Sequence, residues 1–142
     1  MISFSFISKE YPDLPLDSLH SSIPWITEQE GKDLADISII FCSDEELLSM
    51  NQKHLNHDYY TDIITFDYSS GSYISGDLFV SVDRISDNAE VEGVSFTEEL
   101  HRVVFHGVLH LLGYNDKEEQ DVLLMREKEN FYLAKLFHVK HL

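Results

Sequence analysis

The segment RVVFHGVLHLLGYND, residues 102–116, constrains the fold of this chain more than any other. His106 and His110 stand four residues apart in an otherwise apolar run. On a helix that spacing turns about 400° and rises about 6 Å, so both imidazoles point the same way from adjacent turns. Leu100, Val103, Val104, Gly107, Val108 and Leu111 follow the i, i+3, i+4, i+7, i+8, i+11 pattern of a buried helix face. Two imidazoles with no other polar group between Phe105 and Leu112 are costly to bury without a partner, which points to a metal. Gly113 suits the left-handed residue just past the helix, and the turn it makes brings Asn115 and Asp116 back to the same end.

Asp116 is the expected third ligand, because a carboxylate commonly joins two histidines on zinc and leaves a fourth position for water. Such a water, brought to a pKa near 7, attacks phosphoryl or carbonyl centres. Asp116-Lys117-Glu118-Glu119 also reads as the N-cap and capping box of the next helix, and one carboxylate oxygen could serve each role. His57 is the reserve ligand. The remaining histidines, His20, His54, His101, His138 and His141, lie in polar surroundings and read as surface residues. In the zinc-protease signature a glutamate follows the first histidine as general base, whereas here that residue is Gly107, so a peptidase-like hydrolase is a minor alternative. A base must come from another element, and Asp62 and Asp77 at strand ends are the first candidates.

Around this helix the sequence alternates strands and helices. Ile2, Phe4 and Phe6 mark a half-buried strand; 14–31 holds a helix with Trp25 near its end; ISIIFC (37–42) is a strand, and the Ser-x-x-Glu box at 43–46 opens a helix to about Lys53. Two neighbouring strands follow at 61–66 and 76–82, then helices at 83–92, from a second Ser-x-x-Glu box at 95–98 to Gly113, and at about 117–137, with a stripe of Val122, Met125, Tyr132 and Leu136. With no helix between the last two strands, the expected fold is a single α+β domain over 1–142, a small mixed four-stranded sheet with about five helices and the metal site at the end of a buried helix.

Cys42 is the one cysteine, so nitrogen and oxygen must hold any metal. No basic leader and no membrane-length apolar run is visible, and a cytoplasmic protein is expected. The formal charge of −16 argues against a polyanionic partner. Residues 1–116 carry all of that excess, while 117–142, with Lys128, Lys135, His138, Lys140 and His141, are neutral overall and least repulsive to one, though such a cluster also suits a solvated helix face.

HGVLHLLGYND resembles the signature of the YbeY family, metal-dependent endoribonucleases of ribosomal RNA maturation, whose pattern is His-Gly-x-Leu-His-Leu-x-Gly-Tyr-Asp-His. MNQKHLNHDYYTDIITF and SGDLFVS resemble two further family segments, with matches at Asn51, Asp58, Thr61, Asp62, Phe66, Gly76 and Asp77 as well as His106, Gly107, His110, Gly113 and Tyr114. The departures are Asp116 at the family's third zinc histidine, Asp67 at a usual proline, and Leu55 at an arginine thought to act in catalysis. Asp116 makes the set harder toward oxygen-preferring metals. Arg102, one turn before His106, is the candidate to replace the lost guanidinium, although Glu98 offers it an ordinary helix ion pair. The resemblance implies a zinc-dependent endoribonuclease specific for single-stranded RNA, acting in rRNA maturation and ribosome biogenesis, with RNA lying between the metal helix and the loops near Thr61–Phe66. The rival reading is a ribosome-associated assembly factor with a structural metal and little nuclease activity, favoured by Leu55 and the acidity.

Overall fold

A computed structural model of the chain describes residues 1–56 and 59–137. His57 and Asp58, and the basic positions His138, Lys140 and His141, lie outside the described residues. The elements in order are β1 (Ile2–Phe6), α1 (Leu16–Gln29), β2 (Asp33–Cys42), α2 (Asp44–Leu55), β3 (Ile63–Asp67), β4 (Tyr73–Ser81), α3 (Val82–Glu92), α4 (Phe96–Leu111) and α5 (Glu119–Phe137). The sheet runs β1-β2-β4-β3, with the first three strands parallel and β3 antiparallel to β4. The α+β class and the mixed four-stranded sheet are as expected. Among the described residues no helix is long and apolar enough to cross a membrane.

Period-two alternation divides the sheet into two faces. The register places Phe4 beside Ile39, Ile39 beside Leu78, and Ile63 beside Val80, and this face packs with Ile23 of α1 and Val104 and Val108 of α4 in the main core. The other face carries Cys42, Ile64, Phe66 and Phe79 against Leu47 and Met50 of α2. Leu100, Val104, Phe105, Val108 and Leu109 are fully buried, at about 1.5–3 kcal/mol each, and fix α4 in the core. A Cβ at Gly107 would stand 2.7 Å from Ile63 Cδ1 and 3.0 Å from Leu78 Cδ2, so the glycine lets α4 rest directly on β3 and β4. The position that holds a protease's glutamate is here taken up by helix packing.

Local chemistry sets the boundaries. Ser43 and Glu46 form the reciprocal capping box of α2, and Ser95 accepts from the Glu98 N–H at the start of α4. Gly113 has φ +105°, its N–H donates to the His110 carbonyl, and Tyr114 N–H donates to the Leu109 carbonyl, which closes α4 as a Schellman turn. β2 and β4 begin earlier than expected because Asp33 and Leu34 pair with Tyr73 and Ile74 beyond a bulge, in a stretch too polar to show strand alternation. β3 begins later, leaving Thr61 and Asp62 ahead of it.

Two expectations are corrected. His101 is fully buried, its Nδ1–H donating to the Thr97 carbonyl at 2.7 Å and its Nε2 accepting from the Ser18 hydroxyl at 2.8 Å. Those two partners satisfy the ring, so it joins α1 to α4 instead of facing water. On α5, Met125 and Tyr132 are buried but Val122 is 48% exposed, and the buried position between them belongs to Glu129. The stripe is interrupted because that carboxylate faces α4.

Candidate metal centre

The turn at Gly113 brings three side chains from eleven consecutive residues to one point. His106 Nε2 and His110 Nε2 each lie 3.2 Å from Asp116 Oδ2, and the two nitrogens are 3.1 Å apart. Bonds of 2.0–2.1 Å at tetrahedral angles put neighbouring zinc ligands about 3.3 Å apart, so the triangle fits one face of such a site. The protonation pattern fits too. His106 donates its Nδ1–H to Glu129 Oε2 at 2.7 Å, and His110 donates its Nδ1–H to the Tyr114 carbonyl at 2.9 Å. In its neutral form each ring therefore turns an Nε2 lone pair toward the other and toward a carboxylate oxygen, an arrangement that calls for a positive charge at the centre. Burial would lower the His106 pKa, but Glu129, Asp116 and Asp62 outweigh it and raise it, which expresses the same demand for positive charge. Among the described residues no other histidine, cysteine or acidic trio converges in this way. Asp116 lies three residues ahead of α5, with its carboxylate turned to the histidines.

Glu129 escaped the sequence reading. It is 5% exposed, and its two oxygens divide their work, Oε2 taking the His106 proton and Oε1 facing Arg102 Nη1 at 3.2 Å. A charged residue in the middle of an apolar helical stripe was the signal that could have found it. Arg102 is correspondingly not paired with Glu98. It lies between Glu129 and Glu99, whose Oε1 is 3.9 Å from its Nε.

The triad stands where two cavities of about 360 and 520 Å³ meet, and Asp62, His106 and Asp116 line both. Asp62 is held by the Asn88 side-chain amide at 3.2 Å, and burial is the main reason its pKa rises. Asp77 is not brought to this place. It alternates with Gly76 and Leu78, which face α4, and so points to the other side of the sheet, against Tyr68. Leu55, 41% exposed, lines the larger cavity with Tyr59.

The sequence model of the endoribonuclease YbeY family matches residues 8–137. The chain is similar to the endoribonuclease YbeY of Parabacteroides distasonis, 49% identical over 125 residues that cover 88% of each chain. It is also similar to that of Flavobacterium psychrophilum, 48% identical over 143 residues and 99% of each chain. The solution structure of TM1509 from Thermotoga maritima matches with a TM-score of 0.71 at 27% identity, covering 97% of this chain and 90% of that one. From a match over nearly its whole length and relatives of this similarity, the chain belongs to the YbeY endoribonuclease family.

Proposed function

We propose that the protein is a zinc-dependent endoribonuclease that cleaves single-stranded RNA during ribosomal RNA maturation in the cytoplasm. The observation that carries this reading is the triangle of three possible ligand atoms at the junction of two cavities, because a catalytic metal needs three protein ligands and an open, reachable position. His106, His110 and Asp116 would hold the ion, which when bound supplies a Lewis acid and an acidified water at neutral pH. Everything else falls to the chain. Glu129 and the Tyr114 carbonyl fix the tautomer and tilt of the two rings, and Arg102 fixes Glu129. Asp62, which lines both cavities and whose pKa is raised by burial, would take a proton beside the triad.

RNA enters the 520 Å³ cavity between the end of α4 and the segment before β3. At a net charge of −16, affinity comes from stacking and a few local cations, and the salt slope should correspond to on the order of two to four phosphates. The deciding experiment measures cleavage of unstructured RNA after dialysis against a chelator and again after zinc is restored, with Asp116→Ala as control. Loss and return of cleavage is expected; full cleavage by the chelated protein would contradict the reading. Leu55 in the wall of the larger cavity favours a second reading, a ribosome-associated assembly factor with a structural metal. In that case chelation lowers the melting temperature with no cleavage to lose.

A further inference from the structure

The 360 Å³ cavity on the far side of the triad lies among α3, α4 and α5, and its volume is in the range that holds small ligands. Its walls join apolar Val103, Val122 and Met125 to the carboxylate of Glu99. Glu99 is 5% exposed, yet its Oε1 accepts no hydrogen bond, and its ion-pair partner Arg102 is at 3.9 Å, beyond hydrogen-bonding distance. Its neighbour Glu129, equally buried, is fully engaged by His106 and Arg102. A carboxylate with one buried oxygen left without a donor, on a side chain that lines a cavity opening onto the triad, is a place for an N–H group that arrives from outside.

Resting on the nuclease reading, we propose that this cavity is a base-binding subsite next to the scissile phosphate, in which Glu99 accepts hydrogen bonds from the Watson–Crick edge of a guanine. Guanine presents two adjacent donors, N1–H and the N2 amino group, which match the two oxygens of one carboxylate. Adenine and cytosine set a ring-nitrogen lone pair beside their single amino donor, and uracil sets carbonyl oxygens on both sides of its imino group, so each of these repels the second oxygen. The apolar side chains pack against the face of the base, and half-exposed Arg126 at the wall stacks on it or meets its phosphate. A divalent cation would answer the same oxygen. The five carboxylates on the walls outnumber the two guanidinium groups and would favour one, but among the described residues no second trio of ligand atoms converges here.

The test uses the full, zinc-loaded chain and measures two things, the affinity for each nucleoside 5′-monophosphate and the position of cuts in a single-stranded RNA of mixed sequence. GMP should bind about tenfold more tightly than UMP, the discrimination of one bidentate contact. Glu99→Gln, which replaces an acceptor with a donor, should remove that advantage while leaving UMP binding unchanged, and should abolish the preference for cutting beside guanosine. Val122→Trp, placed on the exposed side of α5 at the cavity wall, should weaken GMP binding without touching the core. GMP binding no better than UMP overturns the proposal, as does unchanged GMP affinity in a folded Glu99→Gln protein. Magnesium binding that depends on Glu99 without any base preference also overturns it. If Glu99→Gln does not fold, unchanged GMP affinity in Val122→Trp does the same. A guanine preference in binding with no RNA cleavage supports the subsite and removes the nuclease reading.

Discussion

Two carboxylate clusters share α5, and they have opposite characters. At one, Glu30 just past the end of α1 accepts from the Tyr114 hydroxyl at 2.5 Å, from Lys128 Nζ at 3.3 Å and from the Tyr132 hydroxyl. Burial pushes the Glu30 pKa up, but these three donors outweigh it and hold it below the ordinary carboxylate value. At the other, burial dominates and raises the pKa of both Asp62 and Glu99. The comparison separates two uses of a half-hidden negative charge. Where the fold supplies every donor, the carboxylate is a post, tying α1 to the turn after α4. Where burial outweighs the few donors supplied, the charge is held at a cost, and this second cluster borders His106 and Asp116.

The largest effect that would sharpen this contrast is at the triad itself. Asp116→Ala should lose its zinc on dialysis against a weak chelator, and Asp116→His should regain it, with bound zinc per chain as the readout. A full equivalent of zinc in Asp116→Ala would break the assignment of the carboxylate as a ligand. Next, Glu129→Gln keeps a hydrogen bond to His106 but removes the charge, and should lower zinc affinity toward the low end of the roughly 10–100-fold range for such partners, measured by competition with a chromophoric chelator.

In the satisfied cluster the same kind of change should act on stability alone. Tyr132→Phe removes a donor to a charged group and should cost about 1.5–3 kcal/mol in denaturant unfolding, with zinc binding unchanged. A fall in zinc affinity there would mean that the two clusters are coupled through α5.

The smallest effect is in the pH dependence, where the two clusters should have opposite signs. The folded pKa of Glu30 lies below its unfolded value of 4.5, so its contribution is present above that pH and is lost as pH falls through the folded value. The folded pKa of Glu99 lies above 4.5, so stability falls as pH rises from 4.5 through the raised value. Thermal unfolding between about pH 3 and 7 should therefore show Glu30→Gln flattening the acid limb and Glu99→Gln flattening the upper one. Buried neutral His101, whose pKa burial lowers, adds a loss of stability as pH falls below 6.5.

The order of strands and helices was readable along the chain wherever the signal was local. Ser43 with Glu46, Gly113, and the apolar face of α4 each act within one or two turns of backbone, and each appears where the sequence puts it. The meeting of His106, His110 and Asp116 belongs to the same class, since helix pitch and one left-handed glycine suffice to bring them together. Errors arose where a side chain's partner lies on another element. His101 shows only polar neighbours in sequence, but its partner Ser18 is 83 positions away on α1. Asp77 read as a candidate base until the alternation of β4 sent it to the far face of the sheet. Arg102 has Glu98 one turn away, yet turns to Glu129, 27 residues distant.

By itself, then, the sequence determined the buried helix, the histidine pair and the chain reversal that delivers the carboxylate, because dihedral preferences and periodicity act over a few residues. Only the tertiary structure decided that Glu129 aims His106, that Asp62 borders both cavities, and that Glu99 Oε1 lacks a donor. Those facts depend on how α3, α4 and α5 pack around one another, and the depth and company of a buried charge are properties of that packing, which no spacing along the chain encodes.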